Sequence, residues 1–356
     1  MDTRTSFRIA VEDAQAFATD KVDRRPGFIS SVARMGKTQK RDIRALPSIK
    51  GGRHGPVGDA GRLMAEGATS AVEQTKIALE VINRLQPELN AFAHIAPEVE
   101  LMAIAEALDA ERANGKLRSP IHGLPISVKD VIHVKGMPTS SGSKVMEGFM
   151  PDDDATAVRL LREAGAIIIG KAHTHEFALG VTTPQSRNPW DTSRDPGGSS
   201  GGSAITISTG MSLLSLGTDT RASIRVPASL CGTLGYKPTY GLVSTDGIVT
   251  LSWTMDHAGL MGRTSEDVAI MMNIIQGIDA KDSGTLDQPK DDYTDYLFKD
   301  VTGLRVGLAV EALEGADPET LETFNACVET LKSLGVEVIE TNLPSADDFR
   351  LANNLG

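Results

Sequence analysis

Along this 356-residue chain, apolar and polar positions first settle into a helical rhythm near residue 70. Ser70 followed by Glu73 makes a capping box, and Val72, Leu79 and Ile82 share one face of the helix that follows, which Pro87 is expected to stop. A second, alanine-rich helix is expected over 98–113, ending at Gly115. The segment "GLPISVKDVIHV" (123–134) then reads as two short strands around a polar turn. Next, "ATAVRLLREAG" is helical and leads through Gly165 into "AIIIGK", an apolar β-branched run suited to the inside of a sheet. The alternation returns late in the chain. Strand "LRVGLAV" (304–310) precedes a helix opened by Asp317 and Pro318, and Gly335 closes that helix before strand "VEVIE". Such alternation is α/β grammar, and the crossover implies parallel strands.

Composition narrows the class. With 40% apolar and 4% aromatic residues the chain suits a globular protein with a sizeable core. No apolar run approaches the roughly 18 residues of a membrane helix, and the N-terminus lacks the apolar stretch of a secretory signal, so a cytoplasmic location without membrane attachment is expected. Only Cys231 and Cys327 are present, too few for a disulfide framework or a zinc site. The net charge of −11 argues against nucleic-acid binding, but it is unevenly spread. Residues 1–56 hold twelve Lys or Arg against six acids and show no sustained periodicity, so they read as a basic, disordered or irregular extension.

Two stretches carry candidate chemistry: "PGGSSGGSA" (196–204) and "GTDTRASIRVPAS" (217–229). A glycine–serine string can be a flexible linker, a phosphate-cradling turn or a backbone held in conformations that only glycine tolerates. The linker reading fails because "AITISTG" follows directly with helix-compatible spacing, and the P-loop spacing is absent. "HTHE" offers His173, His175 and Glu176 as potential metal ligands. Positions i and i+2 of a helix do not share a face and no second ligand cluster stands out, so a positioning or hydrogen-bonding role is the better reading. Serine is a poor nucleophile without a base, and neither a G-x-S-x-G elbow nor an Asp–His pair is evident. Lys129, following apolar "PISV", can be that base if burial lowers its pKa toward 7 or 8, a change of roughly 3–5 kcal/mol.

At these residues the sequence resembles the amidase signature family. The blocks "GLPISVKD", "PGGSSGGSA" and "GTDTRASIRVPASLCGTLGYKPTYG" occur in that family's order and spacing, and the likeness runs over about residues 65–345, with "AIIIGKAHTHEFALG", "NPWD" and "DHAGLMGRTSEDVAIMM". The resemblance implies an amidase signature domain over 57–356 whose mixed, largely parallel twisted sheet is covered by helices on both sides. It implies a Ser-cisSer-Lys triad: Lys129 as base, Ser199 as relay at a cis non-proline peptide, and Ser223 as nucleophile forming an acyl-enzyme. Ser200 either hydrogen-bonds within this relay or is a plain loop serine. Backbone amides of Thr220, Arg221, Ala222 and Ser223 are the implied oxyanion hole. No metal or organic cofactor is implied; the implied partner is a small-molecule amide, and homodimerisation is left open.

Two features depart from the family. Relatives usually carry glycines where Arg221 and Ala222 stand; a positive φ at either site would cost a side chain about 1–2 kcal/mol. Arg221 either reshapes the pocket or meets an anionic substrate, or it points outward. The chain also ends soon after "VEVIE", where family members continue, so the domain is expected to lack its C-terminal part. Three readings result. The leading one is an amidohydrolase cleaving a linear carboxamide to release ammonia or an amine. The second is the glutaminase-type A subunit of a tRNA-dependent amidotransferase, although "HTHE" at 173–176 looks like stand-alone hydrolases rather than the Asn-Met-Asp-Glu usual in such subunits. The third is a truncated, inactive relative.

Overall fold

The structure is a computed structural model, and it describes residues 55–342. The basic extension expected over 1–56 therefore lies outside the described residues up to position 54. The described residues fall into two compact units divided between Asp295 and Tyr296.

In the first unit the chain runs α1 (Pro56–Glu66), α2 (Ala71–Leu89), β1 (Phe92–Ile95), α3 (Glu98–Ala113), β2 (Pro125–Lys129), α4 (Thr156–Glu163) and β3 (Ile167–Ala172). It continues through α5 (Gly201–Thr209), β4 (Leu214–Asp219), α6 (Arg225–Cys231), β5 (Leu234–Tyr236), β6 (His257–Gly262) and α7 (Ser265–Ile275). The six strands form one sheet in the order β1-β3-β2-β4-β6-β5. β2 pairs in parallel with both β3 and β4, while β1 and β6 run the other way, so four of the six strands share one direction. The fold is thus the mixed, largely parallel α/β arrangement expected. The second unit holds the late crossover: β7 (Arg305–Ala309), α8 (Pro318–Ser333) and β8 (Glu337–Thr341), with the strands parallel and Val306 opposite Val338.

β2 and β3 occupy the middle of the sheet because "PISVK" and "IIIGKA" contain nothing that must reach water except two lysines, and every residue of both strands is buried. α5 lies over the face that carries Ser127 and Ser215, which are register partners. Ser127 Oγ is 2.8 Å from Thr206 Oγ1 of α5 and 2.8 Å from Ser215 Oγ. α7 packs against β4, β5 and β6 and is held by the Thr264–Asp267 capping box.

Three local expectations are revised. Among the described residues a helix is already present at Pro56–Glu66, ahead of the pattern near 70: the Val57 amide donates to the buried Asp267 carboxylate at 2.9 Å, so α1 is fixed by tertiary contact and not by a strong periodic pattern of its own. Pro87 sits inside the last turn of α2, which ends instead at Asn90 in the left-handed region. Near a helix end the missing proline N–H costs a single hydrogen bond, so the helix survives it. After Lys129 the chain turns at once, and "VIHV" contributes only an isolated bridge between Ile132 and Ile248 in place of the second strand.

Candidate active site

The site is assembled where the ends of β2 and β4 meet the glycine-rich loop that opens α5. Lys129 is the last residue of β2 and is fully buried. Its Nζ lies 2.7 Å from Ser199 Oγ, 2.8 Å from Thr218 Oγ1 and 3.4 Å from the Thr218 carbonyl. Ser199 and Ser200 are also fully buried, and the Gly198–Ser199 peptide is cis. The Ser200 hydroxyl donates to the Thr218 carbonyl at 3.1 Å, and the Ser200 amide donates to the Ser223 carbonyl at 3.1 Å. Lys129, Ser199 and Ser200 are therefore brought together around Thr218, and Ser223 joins this group through its backbone.

Burial is what shapes the lysine. With no carboxylate in hydrogen-bonding reach among the described residues, desolvation pushes the amine down to about 7; the through-space pull of Asp219 and then Asp256 opposes this without reversing it. An amine with a pKa of about 7 is neutral in a substantial fraction at pH 7, and in contact with a serine hydroxyl it can accept a proton from it.

The loop is held from three sides, two of them by residues the sequence did not single out, Thr183 and Asp195, and the third by the segment read as a positioning one, "HTHE". The Thr183 hydroxyl donates to the Gly197 carbonyl at 2.9 Å and accepts from the Gly201 amide at 3.1 Å. Asp195 accepts from the Gly197 amide at 2.7 Å and from the Thr183 amide. The backbone of "HTHE" completes the frame, the His175 amide donating to the Ser199 carbonyl at 3.2 Å and the Gly202 amide to the His173 carbonyl at 3.1 Å. Glycine is required by space at Gly198, where a Cβ would strike the Thr182 carbonyl, and at Gly202, where it would strike Ala91 and His173 backbone atoms. As for side chains in "HTHE", Glu176 accepts the Ser143 hydroxyl at 2.6 Å, and burial lowers the His173 pKa.

Thr220, Arg221, Ala222 and Ser223 form the turn between β4 and α6. The buried Asp219 carboxylate braces it by accepting from the Ile224 amide at 3.1 Å and from Arg225 Nε and Nη2 at 3.1 and 3.0 Å. At the other side the Thr220 hydroxyl donates to Asp256 Oδ1 at 2.5 Å, while Oδ2 of the same carboxylate receives the Leu251 and Ser252 amides. Arg225 Nη2 also reaches the Arg221 carbonyl at 2.5 Å. Among the described residues the non-glycine positions with positive φ are Asn90, Ser141, Phe177, Ala178 and Phe298. Arg221 and Ala222 are not in that set, so neither side chain strains the turn, and Arg221 is exposed.

A buried amine set against a serine hydroxyl beneath a glycine-rich loop, where two parallel strands end, is an arrangement able to pass a proton between the two groups. The chain belongs to the amidase family, whose model, described as Amidase, matches residues 73–352. It is 43% identical over 287 residues to the A subunit of glutamyl-tRNA(Gln) amidotransferase from Chloroflexus aggregans, covering 79% of this chain and 59% of that one. Its fold is similar to the native peptide amidase of Stenotrophomonas maltophilia, with a TM-score of 0.78 and 34% identity over 83% of this chain and 64% of that one. It is similar also to the Thermotoga maritima glutamyl-tRNA(Gln) amidotransferase A subunit, with a TM-score of 0.70 and 36% identity over 77% of this chain and 59% of that one. The chain thus spans about three fifths of the length of the curated relatives it matches. Among the described residues no helix is long and apolar enough to cross a membrane.

Proposed function

We propose that this chain is an amidohydrolase that cleaves linear carboxamides through Lys129, Ser199 and Ser223. The observation that carries the reading is the contact of the buried Lys129 amine, pushed down to about 7, with the Ser199 hydroxyl at 2.7 Å. In the first step the Ser223 oxygen bonds to the amide carbonyl carbon. Its proton passes to Ser199 as the Ser199 proton passes to Lys129, leaving an ammonium and a tetrahedral oxyanion. Amides of the Thr220–Ser223 turn receive that oxyanion, a donor of this kind contributing roughly 3–4 kcal/mol. Collapse breaks the carbon–nitrogen bond, and the proton returns from Lys129 through Ser199 to the departing amine. Water then bonds to the acyl carbon as its proton passes to Ser199 and the Ser199 proton to Lys129; the bond from that carbon to the Ser223 oxygen breaks, Ser223 regains its proton through Ser199, and the carboxylic acid leaves.

The second reading, a glutaminase-type chain working with partner proteins, is favoured by the 43% identity to the Chloroflexus aggregans amidotransferase chain. In that reading the same residues release ammonia from glutamine. Two assays test both readings. A fluorophosphonate probe followed by peptide mapping should label Ser223, with labelling abolished in Ser223→Ala and much reduced in Lys129→Ala. Labelling elsewhere contradicts the nucleophile assignment. Hydrolysis of simple amides by the chain alone supports the first reading, and glutamine hydrolysis that appears only when the other amidotransferase subunits are added supports the second.

A further inference from the structure

We infer that Thr218 is a positioning residue that holds the Lys129 amine in one place through both of its protonation states, so that its proton exchange with Ser199 requires no movement of heavy atoms. The inference rests on the reading of Lys129 as the base. Among the described residues Nζ has three hydrogen-bonding neighbours, and two of them belong to Thr218: the hydroxyl at 2.8 Å and the carbonyl at 3.4 Å. The third is Ser199 Oγ at 2.7 Å.

The hydrogen inventory of the amine explains why this set matters. An ammonium has three N–H donors and no lone pair; a neutral amine has two N–H donors and one lone pair. The Thr218 carbonyl can only accept, and the Thr218 hydroxyl oxygen has lone pairs to accept with, so together they take two N–H bonds in either state. Only the direction toward Ser199 changes. With the amine neutral, the lone pair faces the Ser199 O–H; once the proton has crossed, an N–H faces Ser199 Oγ. The O–H bond breaks, the N–H bond forms, and Ser199 is made whole by the proton from Ser223.

The surroundings leave this task to Thr218. Asp219, at the end of β4, is occupied by the Ile224 amide and Arg225, and Asp256, in the loop before β6, is occupied by Thr220 and two backbone amides. Both act on the amine only through space. The other buried charges nearby, Lys171 and Asp130, are paired with each other at 3.0 Å, and Lys171 is register partner to Val128, which places it on the opposite face of the sheet. Thr218 itself is fixed by its β4 pairing opposite Ala258, and its carbonyl also accepts the Ser200 hydroxyl at 3.1 Å. One strand residue thus orients both the base and the serine next to the relay.

The test is a titration of the Lys129 13Cε signal in the full chain, assigned by its loss in Lys129→Met, in the wild type and in Thr218→Val and Thr218→Ser. Valine keeps the shape but removes an acceptor that favours the ammonium. The Lys129 midpoint should fall by about one pH unit or more, with kcat lowered at least about tenfold and KM little changed. Serine should restore midpoint and kcat to within about twofold. If the valine variant does not fold, Thr218→Ala gives the same readout. A folded valine or alanine variant that titrates at the wild-type midpoint, or a serine variant that restores neither quantity, overturns the role of Thr218 while leaving Lys129 as base. A wild-type midpoint near that of a solvated lysine overturns the parent reading, and Thr218 with it.

Discussion

Two lysines are buried side by side in the middle of one sheet, Lys129 on β2 and Lys171 on β3, and they have been given opposite surroundings. Lys171 has a carboxylate at 3.0 Å, Asp130, and gives further hydrogen bonds to the Thr139 hydroxyl at 2.7 Å and the Pro138 carbonyl at 3.2 Å. Asp130 in turn receives the Ser140 amide and hydroxyl. Among the described residues Lys129 has only hydroxyls and a carbonyl. Desolvation lowers both amines, but at Lys171 the adjacent Asp130 charge and hydrogen bond oppose it, whereas at Lys129 only more distant carboxylates do. Burial alone does not make a base; burial without a partner charge does. The ion pair and the amine proposed for proton transfer are separated by one register position.

Substitutions at the two sites should therefore fail in different ways. The largest effect is expected for Lys129→Met, which should lower kcat for amide hydrolysis by about 10³–10⁴ while leaving the chain folded; retention of more than a tenth of the activity would count against the proton-transfer role. Next, Asp130→Asn strands the Lys171 ammonium in the sheet and should destabilise the fold by about 3–5 kcal/mol in urea unfolding, whereas a loss below about 1 kcal/mol would mean the pair is not structural.

A smaller effect concerns pH. The Lys129 amine is held at about 7 in the folded chain and returns to about 10.4 on unfolding, so between these values the unfolded state carries the extra proton. Stability should then rise with pH across this window, by at most about 1.4 kcal/mol per unit from this residue, and the Lys129→Met variant should lack that part of the slope. Identical slopes in the two proteins would contradict the lowered amine. The smallest effect is expected at Arg221→Gly. Because Arg221 does not occupy a positive-φ position, glycine brings no relief and should cost about 0.5–1 kcal/mol through the freedom it adds to the unfolded chain. A stabilised glycine variant would show that the turn is strained after all.

Much of this was legible in the residues. Lys129, Ser199 and Ser200 stood in blocks with strong local signatures, and the three meet around Thr218. Thr218 was hidden because a threonine inside a strand reads as a β-branched sheet residue, and nothing in its neighbours shows that a lysine from another strand will meet it. Thr183 and Asp195 were hidden for a related reason: their effect is to satisfy backbone groups of a loop whose path is set by tertiary contacts. α1 escaped notice because Gly58 and Gly61 weaken its propensity; they are there because a Cβ at either would collide with Glu266 or with the Pro120 carbonyl. The effect of glycine replacement at 221 and 222 could not be judged from sequence because it depends on φ, which here is fixed by the Asp219–Arg225 and Thr220–Asp256 contacts on either side.

The decisive measurement is the pH titration of the Lys129 side chain itself, followed by 13Cε NMR in the intact wild-type chain. A midpoint near 7 is the expected result, with the ascending limb of kcat/KM for amide hydrolysis at the same pH. A midpoint close to about 10, as for a lysine in water, would mean that the amine stays charged at neutral pH and cannot receive the serine proton.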